Sequence, residues 1–143
     1  MSTVGTRGKS AEDLLKRYCF NRAAKEAAFA YYRYPDARGG SLVVVPADFM
    51  VMYAGTMYLL EVKEVQHDFR LPHSNFGKGQ VARMRVWQEA GAKSWVLVRF
   101  MPNDVWRFVT VDFFLNDEGG SWDMRDYPMT TLEDAMGDIL CLT

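Results

Sequence analysis

Two carboxylates and a lysine occupy positions from which they could act together on one reacting group. Asp48 is followed, after twelve intervening residues, by Glu61 and Lys63. If Ala54 and Gly55 form a two-residue hairpin loop, the flanking strands pair so that Asp48 stands directly opposite Glu61. Directly opposed side chains have Cβ atoms about 4.5–5.5 Å apart, and side chains two residues apart share a strand face. The spacing therefore predicts Asp48, Glu61 and Lys63 together on one face of a sheet.

This group of side chains is suited to hydrolysing a phosphodiester with the help of a hard metal ion. Two carboxylates held this close repel each other unless a cation lies between them, and oxygen ligands of this kind suit Mg²⁺. A bound Mg²⁺ supplies a water nucleophile and neutralises the charge that develops on a phosphate oxygen. Lys63 would orient or deprotonate that water and contact the phosphate.

A simpler interpretation is a surface salt bridge between Lys63 and a neighbour, because this spacing also arises by chance. The setting argues against it, since both faces of these strands carry apolar residues, and charges among them are costly unless they bind something. The register is itself a hypothesis. Ala-Gly is not the preferred loop pair, and a slip of one residue would separate the two carboxylates.

The surrounding chain predicts the elements that would hold these residues. Ser10, with Asp13 three residues later, has the shape of a helix capping box. Helical spacing of apolar residues, β-branched runs and Gly or Pro breaks predict three helices and five strands. The helices cover residues 11 to about 32, 77–91 and 131–140, and the strands cover 41–45, 47–53, 57–63, 95–100 and 105–111. This order predicts an α/β fold, a small mixed β-sheet flanked by helices, with an irregular loop at 64–76.

Composition narrows the class of protein. The 143 residues are 49% hydrophobic, which fits one domain with its own core and excludes a disordered chain. No apolar run reaches the roughly 18–20 residues of a membrane span, and the first residues contain no apolar signal core. Cys19 and Cys141 show no metal-binding spacing and indicate reduced thiols. We therefore expect a cytoplasmic protein without a membrane partner.

The net charge of −1 conceals an uneven distribution of charge. Residues 1–46 and 71–111 each carry a net charge of +4, residues 47–70 carry −2 and residues 112–143 carry −7. The basic segments could meet a polyanion, whereas the alternative is a solvated surface with an acidic end. We expect a single domain, 1–143, in which residues 1–9 form a flexible arm and residues 112–143 form an acidic C-terminal segment.

The same residues resemble the PD-(D/E)XK nuclease superfamily, and more closely its RecU family of Holliday junction resolvases. The resemblance covers about residues 6–111. Its segments are Thr6-Arg7-Gly8-Lys9, Asp48-Phe49, Glu61-Val62-Lys63-Glu64, and Asn75-Phe76 with Gln80. The three-residue core of Asp, Glu and Lys is generic, whereas the Lys-Glu pair and the Asn-Phe-x-x-x-Gln segment are more specific.

The resemblance implies a restriction-endonuclease-like core and a homodimeric, Mg²⁺-dependent endonuclease that makes paired nicks in four-way DNA junctions. Mn²⁺ is expected to substitute for Mg²⁺. By resemblance, Asp48, Glu61 and the Val62 carbonyl would hold the metal, and Lys63 would be the catalytic lysine. The resemblance also implies that Glu12 completes the carboxylate set, that Gln80 supports the site and that Arg7 meets DNA phosphates.

Other residues have two interpretations each. Without the resemblance, Glu12 is simply an acid in the first turn of a helix, where the helix dipole favours it. Lys9, Lys78 and Arg83 could track a phosphate backbone, or they could be solvated surface charges.

The chain also departs from the family's pattern. Gly77, Lys78 and Gly79 stand where the family usually has histidines, and Val62 stands where alanine is more usual. The short chain suggests a phage or prophage member in which any element projecting into the junction centre is reduced. The alternatives are a related nuclease for forks, flaps or duplex DNA, and a non-catalytic junction-binding module with the same fold.

Overall fold

The computed structural model describes residues 10–35, 45–116 and 119–141. Arg7, Lys9 and most of the strand predicted at 41–45 lie outside these ranges. The helices and strands are, in chain order, α1 (Ala11–Lys25), β1 (Phe29–Arg33), β2 (Phe49–Tyr53), β3 (Thr56–Val65), β4 (Arg70–Pro72), α2 (Gln80–Glu89), β5 (Lys93–Phe100), β6 (Val105–Thr110), β7 (Ser121–Asp123) and α3 (Leu132–Cys141). Two short 3₁₀ helices, His73–Asn75 and Val111–Leu115, follow β4 and β6.

Five strands form one mixed sheet in the order β1-β2-β3-β5-β6. The β3–β5 pair is parallel and the other pairs are antiparallel. α1 and α3 pack on one face of this sheet, while α2 and a small β4–β7 sheet pack on the other. Each face therefore has its own apolar core, and the central strands β3 and β5 are buried on both sides over most of their length.

The hairpin between β2 and β3 has the predicted loop and register. Ala54 and Gly55 have φ angles of 50° and 85°, the left-handed conformation that a two-residue hairpin loop of this kind requires. Tyr53 pairs with Thr56, and the pairing ends where Phe49 meets Leu60. The next residues beyond this pair are Asp48, just before β2, and Glu61, within β3, so they stand at opposed positions, as the sequence predicts.

The prediction that the first helix continues to about residue 32 is wrong. α1 ends at Lys25, and Phe29–Arg33 is instead the edge strand β1, paired with β2. Aromatic residues such as Phe29 and Tyr31 favour a strand when a neighbouring strand offers pairing and burial. The predicted loop at 64–76 likewise contains the end of β3, the strand β4 and a 3₁₀ turn, and α2 is shorter than the predicted 77–91.

The acidic C-terminal segment is part of the folded structure. Its strand β7 pairs with β4, and α3 buries Leu132, Met136 and Ile139 against the sheet. The Thr131 hydroxyl accepts the Asp134 N–H and caps α3. The described part of this segment is therefore not merely a solvated end.

The described helices include none with both the length and the apolar character needed to cross a membrane. Cys19 and Cys141 are free thiols, and Cys19 is buried where α1 meets the sheet. Burial raises the pKa of Cys19 to about 12. Cys19 therefore behaves as a small apolar core residue.

Candidate active site

Asp48 is fixed between two strands at the point where the β2–β3 ladder ends. Its carboxylate Oδ2 accepts the Val62 N–H at 2.9 Å, in place of a backbone partner from β2. Its own carbonyl accepts the Tyr34 N–H at 2.8 Å, from the residue that follows β1. The first hydrogen bond therefore holds the carboxylate against β3, and the second ties the Asp48 backbone to the residue that follows β1.

Glu61 and Lys63 form a buried ion pair on the face of β3 that also carries Leu59. Lys63 Nζ lies 2.9 Å from Glu61 Oε2, and the two side chains are 13% and 3% exposed. The interpretation as a surface salt bridge is therefore wrong. The other carboxylate oxygen of Glu61, Oε1, is buried without a hydrogen-bond partner. A buried carboxylate oxygen left in this way is a ready ligand for a cation.

Lys63 is held by two further groups from the segment that leads into α2. Its ammonium donates to Gln80 Oε1 at 3.2 Å and lies 4.7 Å from the centre of the Phe76 ring. Gln80 Oε1 also accepts the Gly77 N–H at 3.3 Å. Sequence reasoning placed Gln80 here but gave no role to Phe76. Phe76 lies before α2, so helical spacing does not link it to Gln80, and its signal in the sequence was its place in the segment Asn75-Phe76 with Gln80.

Glu12 lies at the edge of this group and has a partner of its own. Its carboxylate accepts a hydrogen bond from Arg33 Nη2 at 2.7 Å. Its charge still acts on Asp48, where it contributes to a raised pKa. The contact between Arg33 and Glu12 could not be predicted from the sequence, because the predicted long first helix places Arg33 beyond its far end.

Within the described ranges, no group of three or more His, Cys, Asp or Glu side chains is arranged to hold a metal ion.

The two carboxylates of Asp48 and Glu61 are electrostatically linked. Burial is the largest cause that raises the pKa of Asp48 to about 8, and the negative charges of Glu61 and, to a smaller extent, Glu12 add to its effect. The Val62 N–H and the Lys63 charge lower it. A second charge so close to Glu61 is therefore unfavourable unless a cation is added. This property and the unpartnered Glu61 Oε1 fit a divalent metal ion at this place.

The predicted DNA contacts fall into two groups. Lys78 is exposed and Arg83 is half-buried, both beside the start of α2. Arg83 Nη1 donates to the Lys78 carbonyl at 3.1 Å, so the two cationic side chains flank the turn that precedes Gln80. Arg7 and Lys9 lie outside the described residues.

The raised pKa of Asp48 predicts that the stability of the metal-free protein depends on pH. The folded state keeps a proton that the unfolded chain releases, so stability is lost as pH rises from about 4 to about 8. We expect Asp48→Asn to flatten this slope and to raise the free energy of unfolding at pH 8 by on the order of 3 kcal/mol. Urea unfolding with chelator at pH 5, 6.5 and 8 measures both proteins. If the free energy of unfolding changes with pH equally in the wild type and in Asp48→Asn, Asp48 is not buried beside Glu61 in the way described.

No family model matches this sequence, and no curated protein matches it. Among solved structures, the fold is similar to that of Hjc, a Holliday junction resolvase from the archaeal hyperthermophile Archaeoglobus fulgidus, with a TM-score of 0.58 and 21% identity over 86% of this chain and 98% of Hjc. The bacterial homing endonuclease I-Ssp6803I matches with a TM-score of 0.46 and 13% identity over 98% of this chain and 93% of that chain. The chain therefore has the predicted α/β fold, a five-stranded mixed sheet flanked by helices, which is the fold of the nuclease Hjc.

Proposed function

We propose that this protein is a Mg²⁺-dependent DNA endonuclease that resolves four-way junctions by paired nicks. The observation that carries the proposal is the buried group of Asp48, Glu61 and Lys63, in which Glu61 Oε1 has no partner. An ordinary core would not retain two adjacent buried carboxylates, because their repulsion and desolvation cost stability. The similarity of the fold to that of a Holliday junction resolvase supports the choice of substrate.

Asp48, Glu61 and the Val62 carbonyl would hold the Mg²⁺ ion. In an extended strand the N–H and C=O of one residue point to the same side, so the Val62 carbonyl shares a side with the N–H that Asp48 accepts. When bound, the ion supplies an activated water and neutralises charge on the phosphate. Mn²⁺ has the same preference for carboxylate and carbonyl oxygen and would substitute for Mg²⁺.

Lys63 contributes a positive charge that is already in place before the substrate arrives. Glu61, Gln80 and the Phe76 ring all contact its ammonium, so little rearrangement is needed when charge develops. The ammonium would orient the attacking water and contact the scissile phosphate. Gln80 fixes the position of Lys63, and Glu12 adds a third carboxylate at the edge of the site.

A homodimer suits the proposed substrate. A four-way junction is two-fold symmetric, and a C2 dimer presents two identical sites to the two strands that must be cut. On the RecU-like sequence pattern, we extend the proposal to a phage-type resolvase that acts in the host cytoplasm.

The proposal is tested with labelled synthetic DNA. The substrates are a four-way junction, a fork, a flap and a matched linear duplex, each with Mg²⁺, Mn²⁺ or chelator. We expect metal-dependent nicks, symmetrically placed, in the junction alone. Cutting of forks, flaps or duplex at the same rate would contradict junction selectivity, and binding without cutting in either metal would indicate a non-catalytic module.

Lys78 is expected to contact a DNA phosphate. Because each phosphate contact releases counterions, Lys78→Ala should weaken junction binding and reduce the slope of log K against log salt by about one. Lys25→Ala is the matched control, since Lys25 is also exposed but lies at the opposite end of α1 from Glu12, about 20 Å along the helix axis. Equal salt slopes for the two variants, measured by fluorescence anisotropy, would remove Lys78 from the contacts.

A further inference from the structure

Glu64 connects the sheet to the first turn of α1. It follows Lys63 directly but lies on the opposite face of β3, toward α1. Its Oε1 accepts the Ala11 N–H at 2.9 Å and also lies 3.1 Å from Arg99 Nη1. The first N–H groups of a helix have no partner within the helix, so this contact satisfies one of them from outside.

The other member of this connection is the buried residue Arg99. It is paired with Glu64 across the parallel β3–β5 ladder, and it is 1% exposed. Its Nε donates to Asp104 Oδ1 at 2.6 Å, from the turn between β5 and β6. A buried guanidinium is costly unless its hydrogen bonds are satisfied, and charge-assisted bonds to two carboxylates satisfy it well. Glu64, whose side chain is 33% exposed, is therefore tied to a buried side chain of β5.

This connection reaches the chain next to Glu12. Glu12 is the residue after Ala11, and its side chain is fixed on the other side by Arg33. The hydrogen bond from Ala11 to Glu64 ties the backbone of the first turn of α1 to β3, whose residues Glu61 and Lys63 belong to the candidate active site.

We propose that Glu64, held by Arg99, is a positioning residue that keeps Glu12 beside the metal-binding carboxylates. This inference rests on the proposed function, because it gives the contact between Glu64 and Ala11 a role in the proposed metal site. Glu64 does not touch Asp48 or Glu61 in this assignment and acts only through the backbone of α1. The alternative is that Glu64 merely caps a helix.

Two comparisons separate these roles. Ser10 also caps α1, since its Oγ accepts the Asp13 N–H at 3.2 Å, but it does not tie the helix to β3 through that bond. Ser10→Ala therefore removes a cap without removing the connection. Glu64→Gln retains a side-chain oxygen for the Ala11 N–H, whereas Glu64→Ala retains none.

The experiment is a double-mutant cycle with Mn²⁺ alone as the probe, measured by electron paramagnetic resonance. Groups that orient metal ligands typically contribute 10–100-fold to affinity, so we expect Glu64→Ala to weaken Mn²⁺ binding by about tenfold. In a Glu12→Gln background the same substitution should change affinity by less than about twofold, because the two residues act as one unit. Glu64→Gln and Ser10→Ala should stay near the wild-type affinity. Single-turnover junction cleavage should follow the same pattern.

Two results would overturn the inference. One is an equal loss from Glu64→Ala with and without Glu12, and the other is an equal loss from Ser10→Ala. If the wild-type protein neither binds Mn²⁺ nor cuts DNA, the proposed function fails and the connection is judged from amide hydrogen exchange at Ala11. Faster exchange in Glu64→Ala but not in Glu64→Gln supports the connection, and unchanged exchange in both contradicts it.

Discussion

Replacing Asp48 by Asn is expected to reduce junction cleavage by at least about 10³-fold while junction binding is retained. The variant loses one of the charged oxygen ligands, and a metal-dependent step that loses about 4 kcal/mol of stabilisation slows by this factor. The Asn side-chain oxygen still accepts the Val62 N–H, so the local structure is kept. If the site faces DNA as proposed, removing a negative charge from it should leave binding equal to or tighter than that of the wild type.

The measurement combines single-turnover cleavage with a binding assay in Ca²⁺ or chelator. Asp134→Asn is the matched control, because Asp134 is an exposed carboxylate in the first turn of α3 and has no contact with the site. It should cut at the wild-type rate. An Asp48→Asn variant that cuts as fast as this control would show that the metal site lies elsewhere.

Replacing Lys63 by Met is expected to affect stability and cleavage together. Glu61 would remain 2% exposed with its cationic partner removed, and breaking a buried pair in this way costs about 3–5 kcal/mol. Cleavage should fall by about 10²–10⁴-fold, because the substitution removes a positioned charge and proton-transfer group. The loss of stability should be largest in metal-free buffer, since a metal ion would compensate the charge of Glu61.

The double variant Lys63→Met, Glu61→Gln separates the two effects. With no buried charge left unpaired, its free energy of unfolding should return to within about 1–2 kcal/mol of the wild type, but it should not recover cleavage. Urea unfolding with chelator measures the first quantity and junction nicking measures the second. A single Lys63→Met variant as stable as the wild type would mean that the ion pair is not buried in solution.

The centre of the candidate site could be predicted from the sequence because a short hairpin positions it. Two left-handed residues, Ala54 and Gly55, fix the register between β2 and β3, and that register decides which side chain faces Glu61. Local rules therefore suffice to bring Asp48, Glu61 and Lys63 together.

The parts that the sequence missed depend on pairing between distant segments. Residues 29–33 have good helix formers before them, and only pairing with β2 shows that they form a strand. Arg33 could not be recognised as the partner of Glu12 while it was placed just beyond the far end of one long helix, because that placement keeps it far from the first turn. Arg99 and Glu64 meet only through the parallel β3–β5 ladder, whose two strands are separated by β4 and α2 along the chain.

The measurement that tests the proposed function most directly uses a supercoiled plasmid that extrudes a cruciform from an inverted repeat. The proposal predicts that the protein with Mg²⁺ converts this plasmid to linear DNA by paired nicks across the cruciform. A plasmid without the repeat should stay supercoiled, and so should both plasmids with chelator. Two results would contradict a metal-dependent junction resolvase. One is that the cruciform plasmid stays supercoiled after incubation with the protein and Mg²⁺ or Mn²⁺. The other is that the two plasmids are cut equally.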